Sequence, residues 1–588
     1  MQHGKAFPSP FLLIGLLCAT IALCACSGGS SGPAVPPEPP KPRFALTPAV
    51  VRISDTENLI VWEMAEGKVY SLYWSRKAGG ADRPVRIDGV TSPYVHTVPD
   101  NQQPIYYSLS DQDTRPGPEG FSVVFEQRPI ARYILLAVGD ADQDGCVEII
   151  GTRNDCAGNL QAMDDDEIGL ETLTANGRNY RDARLADFDG DGIPDLVSNS
   201  YNPFGPDAPV AQLHRGMPDG RFRLDESFLN LGAKGYGETI VVADFDNDND
   251  LDIYLPYYSY EHPDEKSYLL INDGHGTFRD VADEAGVAER GIPAGLRVEG
   301  VQAIDVDWDG DIDLAAASKL YLNRLMETGK LVFEDSGKFP VGFDEGLQFL
   351  DWNNDGRFDV IKIYPYDDVG PQLYENDGNG FVLREGVFPP GRYNFAYGLN
   401  SYDVNNDGLV DVVASGGRIF NAGERHYPVL LINTGTKFER HQYASTEFSF
   451  GNDISAFADL DGSGTVDMIS RYGPGMLFLN RARSFNFIIV RLVGPNGEYN
   501  QHGRVLRVRS TAHPERTMAR FVDSGSGYLA NNQYDILIGL PYLGSYEVEA
   551  VFRGGITRKA TVSAGYRLVM SENGVVSIQP VLPRGLRR

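Results

Sequence analysis

One nine-residue pattern recurs seven times in this chain and constrains its fold more than any other feature. In its fullest form it reads Asp187-Phe188-Asp189-Gly190-Asp191-Gly192-Ile193-Pro194-Asp195, with acids at positions one, three, five and nine and glycine at six. A hard cation needs several oxygens converging on one point, and a tight turn delivers them. Ca²⁺ accepts many oxygens in loose geometry, whereas Mg²⁺ keeps its water, so Ca²⁺ is the expected guest. Glycine at six permits the left-handed bend that such a turn requires.

The candidate ligands are Asp140, Asp142, Asp144 and Glu148 in the first loop and Asp187, Asp189, Asp191 and Asp195 in the second. Asp244, Asp246, Asp248 and Asp252 follow, then Asp305, Asp307, Asp309 and Asp313. The last three loops carry Asp351, Asn353, Asp355 and Asp359; Asp403, Asn405, Asp407 and Asp411; and Asp459, Asp461, Ser463 and Asp467. Up to seven Ca²⁺ ions are therefore expected. Carboxylate count tunes affinity, so the loops with Asn at three or Ser at five are expected to bind more weakly. Asn249 replaces glycine at six in the third loop, and Asn tolerates the same bend.

An EF-hand begins the same way but needs Glu at position twelve. Here that position holds Gly151, Ser198, Leu255, Ala316, Lys362, Ala414 and Ser470. The flanks, such as Val241-Val242-Ala243 before and Ile253-Tyr254-Leu255 after, read as strand, loop, strand. Starts recur every 46 to 61 residues, a period that marks propellers, solenoids or arrays. Each unit continues with a second signature. Its clearest copy is Tyr268-Leu269-Leu270-Ile271-Asn272-Asp273-Gly274-His275-Gly276-Thr277-Phe278, a strand, a tight Asn/Gly turn and a fourth strand. Four strands in each of seven units predict an all-β protein with a seven-bladed β-propeller over residues 131–484. In these repeats the chain resembles the FG-GAP/VCBS family, which includes the integrin α-subunit head. The resemblance implies a Ca²⁺ loop between the first two strands of each blade. Position two is apolar throughout, which predicts a side chain wedged into the blade interface.

The flanks read as further β domains. Over residues 44–130, Leu59-Ile60-Val61-Trp62, Tyr70-Ser71-Leu72-Tyr73-Trp74 and Ile105-Tyr106-Tyr107-Ser108-Leu109 are strand-like. They resemble a fibronectin type III sandwich. Over residues 485–588 the acidic loops stop. Asn500-Gln501-His502-Gly503, Gly525-Ser526-Gly527-Tyr528-Leu529 and Leu537-Ile538-Gly539-Leu540 resemble the ASPIC/UnbV domain, which follows FG-GAP repeats in the cartilage acidic protein family. Phe552-Arg553-Gly554-Gly555 stands where that domain closes on Trp-Pro-x-Gly.

The apolar run from Phe11 to Leu23 has signal-peptide proportions and is too short to span a bilayer. It ends in Leu23-Cys24-Ala25-Cys26, resembling the lipobox of bacterial lipoproteins, with residues 1–26 as signal and lipobox and Cys26 the lipidated residue. Ser27 after it implies the outer membrane, facing periplasm or surface. Residues 27–43 are a Gly/Ser- then Pro-rich tether. In an exported chain Cys146 and Cys156 are expected to form a disulfide. The formal charge of −29 argues against a nucleic-acid partner, since phosphates would be repelled.

No close His pair, phosphate loop or nucleophile elbow stands in a workable context. The reading is a Ca²⁺-binding lipoprotein, not an enzyme, whose propeller presents a surface to a protein or glycan and whose lipid holds it to a membrane. The alternative is a Ca²⁺-dependent polysaccharide lyase, which needs a base beside a cation in a groove. Cys26→Ser is expected to release the protein from the membrane fraction; a mutant that still sediments with outer membranes after a salt wash would refute the lipobox.

Overall fold

The structure is a computed structural model. It describes eleven strand segments between residues 49 and 173. From 180 to 581 it describes all but 201–210, 219–221, 229–238, 257–265, 291–299, 341–345, 365–369, 392, 394–395, 397, 416–427, 442–453, 461, 471–475, 481–485, 526–531 and 543. Cys26, Cys146, Cys156, Asp140, Asp142, Asp144 and Asp461 lie outside the described residues. Among the described residues no helix is long and apolar enough to cross a membrane.

The repeat predicts sheets, and the described chain is built almost wholly of them. Blade 1 comprises Tyr133–Gly139, Glu148–Arg153, Leu160–Met163 and Glu171–Leu173. Blade 2 comprises Tyr180–Ala186, Asp195–Ser200, Ala211–Gly216 and Phe222–Leu224. Blade 3 runs Val241–Ala243, Asp252–Leu255, Tyr268–Asn272 and Phe278–Asp280. Blade 4 runs Gln302–Ile304, Asp313–Ala316, Lys319–Asn323 and Phe333–Asp335. Blade 5 is Gly346–Leu350, Asp359–Ile363, Gln372–Asn376 and Phe381–Arg384. Blade 6 is Gly398–Tyr402, Asp411–Ser415, Val429–Asn433 and Phe438–Arg440. In each, consecutive strands pair in chain order.

Blade 7 takes Ile454–Ala458, Asp467–Ser470 and Met476–Asn480 from one end of the repeats and Phe125–Pro129 from the other. Phe125 pairs with Asn480 and Pro129 with Met476. The first strands of successive blades pack in cyclic order, with that of blade 7 against that of blade 1. The ring is closed by this one strand, which lies on the near side of the boundary expected at residue 130.

The wedge expected at position two is present. Phe188, Phe245 and Val404 are at most 1% exposed. Phe188 packs edge-on against Phe278 of the next blade, with centroids 5.7 Å apart. Phe245 meets Phe333 at 5.9 Å, and Trp352 meets Phe438 at 6.4 Å. Val306, Val404 and Leu460 likewise join clusters shared with the following blade.

Ahead of the ring, two three-stranded sheets bury Ile60, Tyr70, Leu72, Val90 and Tyr107. Behind it, two four-stranded sheets enclose a core of residues such as Ile488, Val508, Tyr546, Val548 and Leu568. One is Ile536–Gly539, Phe487–Val493, Tyr566–Ser571 and Gly574–Pro580 in order, with a parallel central pair. The other is Met518–Phe521, Val505–Ser510, Ser545–Phe552 and Ile556–Ser563. Their outer faces rest on the ring: Val505, Ala519 and Val551 on blades 4 and 5, and Phe487, Ile489 and Leu537 on blades 6 and 7.

Candidate metal centres

Six of the seven loops are described, and they share one hydrogen-bond frame. The position-one carboxylate accepts the position-six N–H, at 2.8 to 3.3 Å, in Asp187, Asp244, Asp305, Asp351, Asp403 and Asp459. The position-nine carboxylate accepts the position-two N–H through one oxygen. Through the other it accepts an N–H from the third strand, at Gly216, Asn272, Asn323, Asn376, Asn433 and Asn480. Asn249 takes the left-handed bend at six, with φ 80°. Position four is left-handed too, at Asn247, Trp308, Asn354 and Asn406.

The sequence placed those third-strand Asn residues in a turn. In four of the five the side chain instead locks blade to blade, while Asn376 Nδ2 holds the Phe358 carbonyl of its own loop. Asn433 Nδ2 donates to the Trp352 carbonyl of blade 5 at 2.7 Å and to the Val410 carbonyl of its own loop at 3.1 Å. Asn272, Asn323 and Asn480 reach Phe188, Phe245 and Val404 in the same way. The readable signal was the same Asn, ten to twenty-two residues after position nine, in five copies.

Three loops bring carboxylate oxygens of three residues within 4.8 Å of one another: Asp187, Asp189 and Asp195; Asp244, Asp246 and Asp248; Asp305, Asp307 and Asp313. In two of these a buried oxygen has no partner, Asp246 Oδ1 and Asp305 Oδ1. A buried anionic oxygen left unpaired is costly, and a divalent cation is the guest that fits such a donor set. Position five spends one oxygen on its own turn, as Asp191 does on the Ile193 N–H at 2.8 Å. In blades 5 and 6, Asn353 and Asn405 donate instead to Asp355 and Asp407 at 3.2 and 3.1 Å. Ser463 hydrogen-bonds Asp459 and Thr465.

Burial dominates the titration of these acids. It pushes Asp195 up to about 7 and Asp359 to about 8. It lifts Asp305 and Asp403 to about 8 and Asp351 to about 7. Asp252, Asp313 and Asp411 rise well above the usual carboxylate range, burial again leading and neighbouring acids adding.

The C-terminal sheets bring cations to these loops, which the sequence did not signal. Arg504, 1% exposed, donates to Asp244 Oδ2 at 3.0 Å, to Asn247 Oδ1 at 2.7 Å and to the Gly310 carbonyl at 2.6 Å. It thereby spans the loops of blades 3 and 4. Arg520 donates to the Gly408 carbonyl at 2.9 Å, and Ala519 N–H donates to Asp351 Oδ2 at 2.8 Å. The motif segments serve this docking: Asn500 donates to the Asn249 carbonyl, and the Gly503 carbonyl accepts the Asp305 N–H. A side chain at Gly539 would meet Asp403 Oδ2 at 2.0 Å.

A family model described as FG-GAP-like repeat matches residues 187–255 and 351–414, so the chain carries FG-GAP-like repeats. Cartilage acidic protein 1 of Homo sapiens is 23% identical over 495 residues, covering 75% of this chain and 72% of that protein. Among solved structures, Saccharomyces cerevisiae Sqt1 is 10% identical and covers 75% of this chain and 98% of its own, with a TM-score of 0.33. The BBS1N chain of a complex with ARL6DN, soaked with lead, is 10% identical and covers 61% and 96%, also at 0.33. Overlaps that low leave the fold resting on the strand pairing.

Asn433→Ala strands two carbonyls at a blade interface and is expected to cost about 1–3 kcal/mol in denaturant unfolding. The exposed Asn379→Ala should stay within about 0.5 kcal/mol of wild type; equal losses would deny the clamp. Raised carboxyl groups mean the folded chain holds protons that the unfolded chain releases, so metal-free stability falls as pH rises from about 4 toward 8. In excess chelator the melting temperature is expected to be higher at pH 5 than at pH 8, and the increment from added Ca²⁺ larger at pH 8. A chelated protein that grows more stable over that span would contradict the geometry.

Proposed function

We propose that this chain is a Ca²⁺-binding lipoprotein of the cell envelope whose propeller is a binding platform for a protein or glycan. The observation that carries it is the pair of buried, unpartnered carboxylate oxygens, Asp246 Oδ1 and Asp305 Oδ1, each within a cluster of three acids. In this reading positions one, three, five and nine of each loop are the ligands, and Ca²⁺ holds the ring rigid instead of entering chemistry. The FG-GAP-like match and the likeness to cartilage acidic protein 1 support it. Cys26 anchors the chain, and the sandwich ahead of the ring is a fibronectin type III-like spacer. Its sheet orders support that kinship: strands one, two and five in one sheet, and four, three and six in the other.

The C-terminal sheets rest on the loop-bearing face at blades 3 to 7, so the ligand takes the opposite face or the outer strands. Two of the described histidines are unsuited to act as a catalytic base. His214 and His502 are buried, and desolvation lowers them to about 4 and about 3, far from the range of a working base.

The test is a glycan and protein array run with Ca²⁺ and with chelator, the same sample being assayed for polysaccharide cleavage. Ca²⁺-dependent retention without cleavage is expected. Unsaturated sugar products would replace this reading with the lyase.

A further inference from the structure

The loop of blade 2 has acids at all four ligand positions, as the loops of blades 3 and 4 do, and by carboxylate count it should hold its ion among the tightest. Its geometry differs from that of its neighbours in three linked ways. Where blades 3 to 7 place an Asn at the end of the third strand, blade 2 has Gly216, and a side chain there would meet the Pro194 carbonyl at 2.2 Å. The residue before it, Arg215, turns its guanidinium into the loop. Arg215 Nη1 lies 3.1 Å from Asp195 Oδ2 and 3.5 Å from Asp189 Oδ2, the position-nine and position-three acids. Nη2 donates to the Gly276 carbonyl of blade 3 at 3.0 Å, and Nε donates to Asp225 Oδ2 at 2.9 Å. The arginine is thus fixed from several sides, with its side chain 12% exposed. Gly276 leaves room for it: a Cβ there would stand 1.9 Å from Nη2.

The position-one acid of this loop spends both oxygens on its turn, as its counterparts in blades 3, 5, 6 and 7 do, and the position-nine acid takes one donor more. Asp187 gives one oxygen to Gly190 N–H at 2.8 Å and the other to Gly192 N–H at 2.9 Å. Asp195 gives its oxygens to Phe188, Gly216 and Arg215. Among the described residues the unpartnered buried carboxylate oxygens fall in blades 3 and 4 and not in this loop. A divalent ion coordinated by Asp189 and Asp195 would have to sit beside a guanidinium already within hydrogen-bond reach of the same carboxylates. At such distances like charges repel strongly. A guanidinium, charged at any physiological pH, supplies the same neutralisation without an ion.

We infer that Arg215 is the resident cation of the blade 2 loop, so that this loop closes without Ca²⁺ and its acids form a structural ion-pair cluster. The inference rests on the Ca²⁺ reading of the other loops and removes one ion from the expected complement. It also departs from the ranking by carboxylate count, placing a loop with acids at all four ligand positions last in Ca²⁺ uptake.

The test measures bound Ca²⁺ per chain, by elemental analysis after gel filtration in Ca²⁺ buffer, together with melting temperature in Ca²⁺ and in chelator. The variants are Asp189→Ala, Asp307→Ala and Arg215→Met in the full chain. Expected is that Asp307→Ala loses one ion and Asp189→Ala loses none. Arg215→Met should melt below wild type in chelator, gain one ion in Ca²⁺ and recover more stability from Ca²⁺ than wild type does. The inference is overturned if Asp189→Ala loses an ion as Asp307→Ala does, or if Arg215→Met melts like wild type in chelator. Wild type that takes up no Ca²⁺ at all would sink the reading of the other loops, while the chelator comparison would still decide Arg215.

Discussion

The structure depends on one buried acid repeated around the ring, the carboxyl group at position nine. Asp252, Asp313, Asp359, Asp411 and Asp467 are fully buried. Each accepts one N–H from the start of its loop and one from the third strand, so a single side chain fixes the loop against two strands of its sheet. A buried carboxylate with two N–H donors is still short of compensation for the water it has lost. That shortfall is why burial lifts Asp252, Asp313, Asp359 and Asp411 so far, and the acids at the other end of the loops draw positive charge.

The positive charge comes from different sources around the ring. Blade 2 uses Arg215 from its own third strand. At blades 3 and 4, and again at 5 and 6, the C-terminal sheets deliver Arg504 and Arg520 beside the position-one acids. In the proposed reading, metal uptake and docking of the C-terminal sheets are two parts of one electrostatic arrangement. Ions bound in the loops would also shape the surface on which those sheets rest. The docked sheets in turn bury the loops, excluding the water that would weaken every charge interaction there.

Much of this was legible in the chain, and what was missed has a common cause. The loop pattern fixed the position of each first-to-second strand turn, the apolar wedge at position two and the bend at Asn249, because these are local consequences of residue type. The closing strand Phe125–Pro129 was not legible, since its partner lies some 350 residues away and its residues read equally well as the last strand of the preceding sandwich. Arg504 escaped for the same reason: its acceptors are about 190 to 260 residues distant. The third-strand Asn was visible as a repeat, but a polar residue beside Asp-Gly reads as a turn former. The neighbouring blade, brought alongside by the ring, gives it a second carbonyl to hold beyond the one in its own loop. Arg215 carries a related lesson, since counting acids in a loop says nothing about which cation the rest of the sheet has already placed there.

Trp308 joins these threads. At position four, where the other described loops use Gly or Asn, it is held at φ 68°, a conformation that costs a bulky residue about 1–3 kcal/mol. Its ring is nearly parallel to that of Phe358 in blade 5, with centroids 5.6 Å apart and an 8° angle between planes. Arg507 of the C-terminal sheets lies over it, 3.6 Å from the ring centroid. Stacking of about 0.5–1.5 kcal/mol and a cation–π contact of about 0.5–2 kcal/mol together match the strain, and neither alone covers the upper end of it. The strained tryptophan is thus supported from the next blade on one side and from the docked domain on the other. The closed ring and the seated C-terminal sheets each hold part of the blade 4 loop in place.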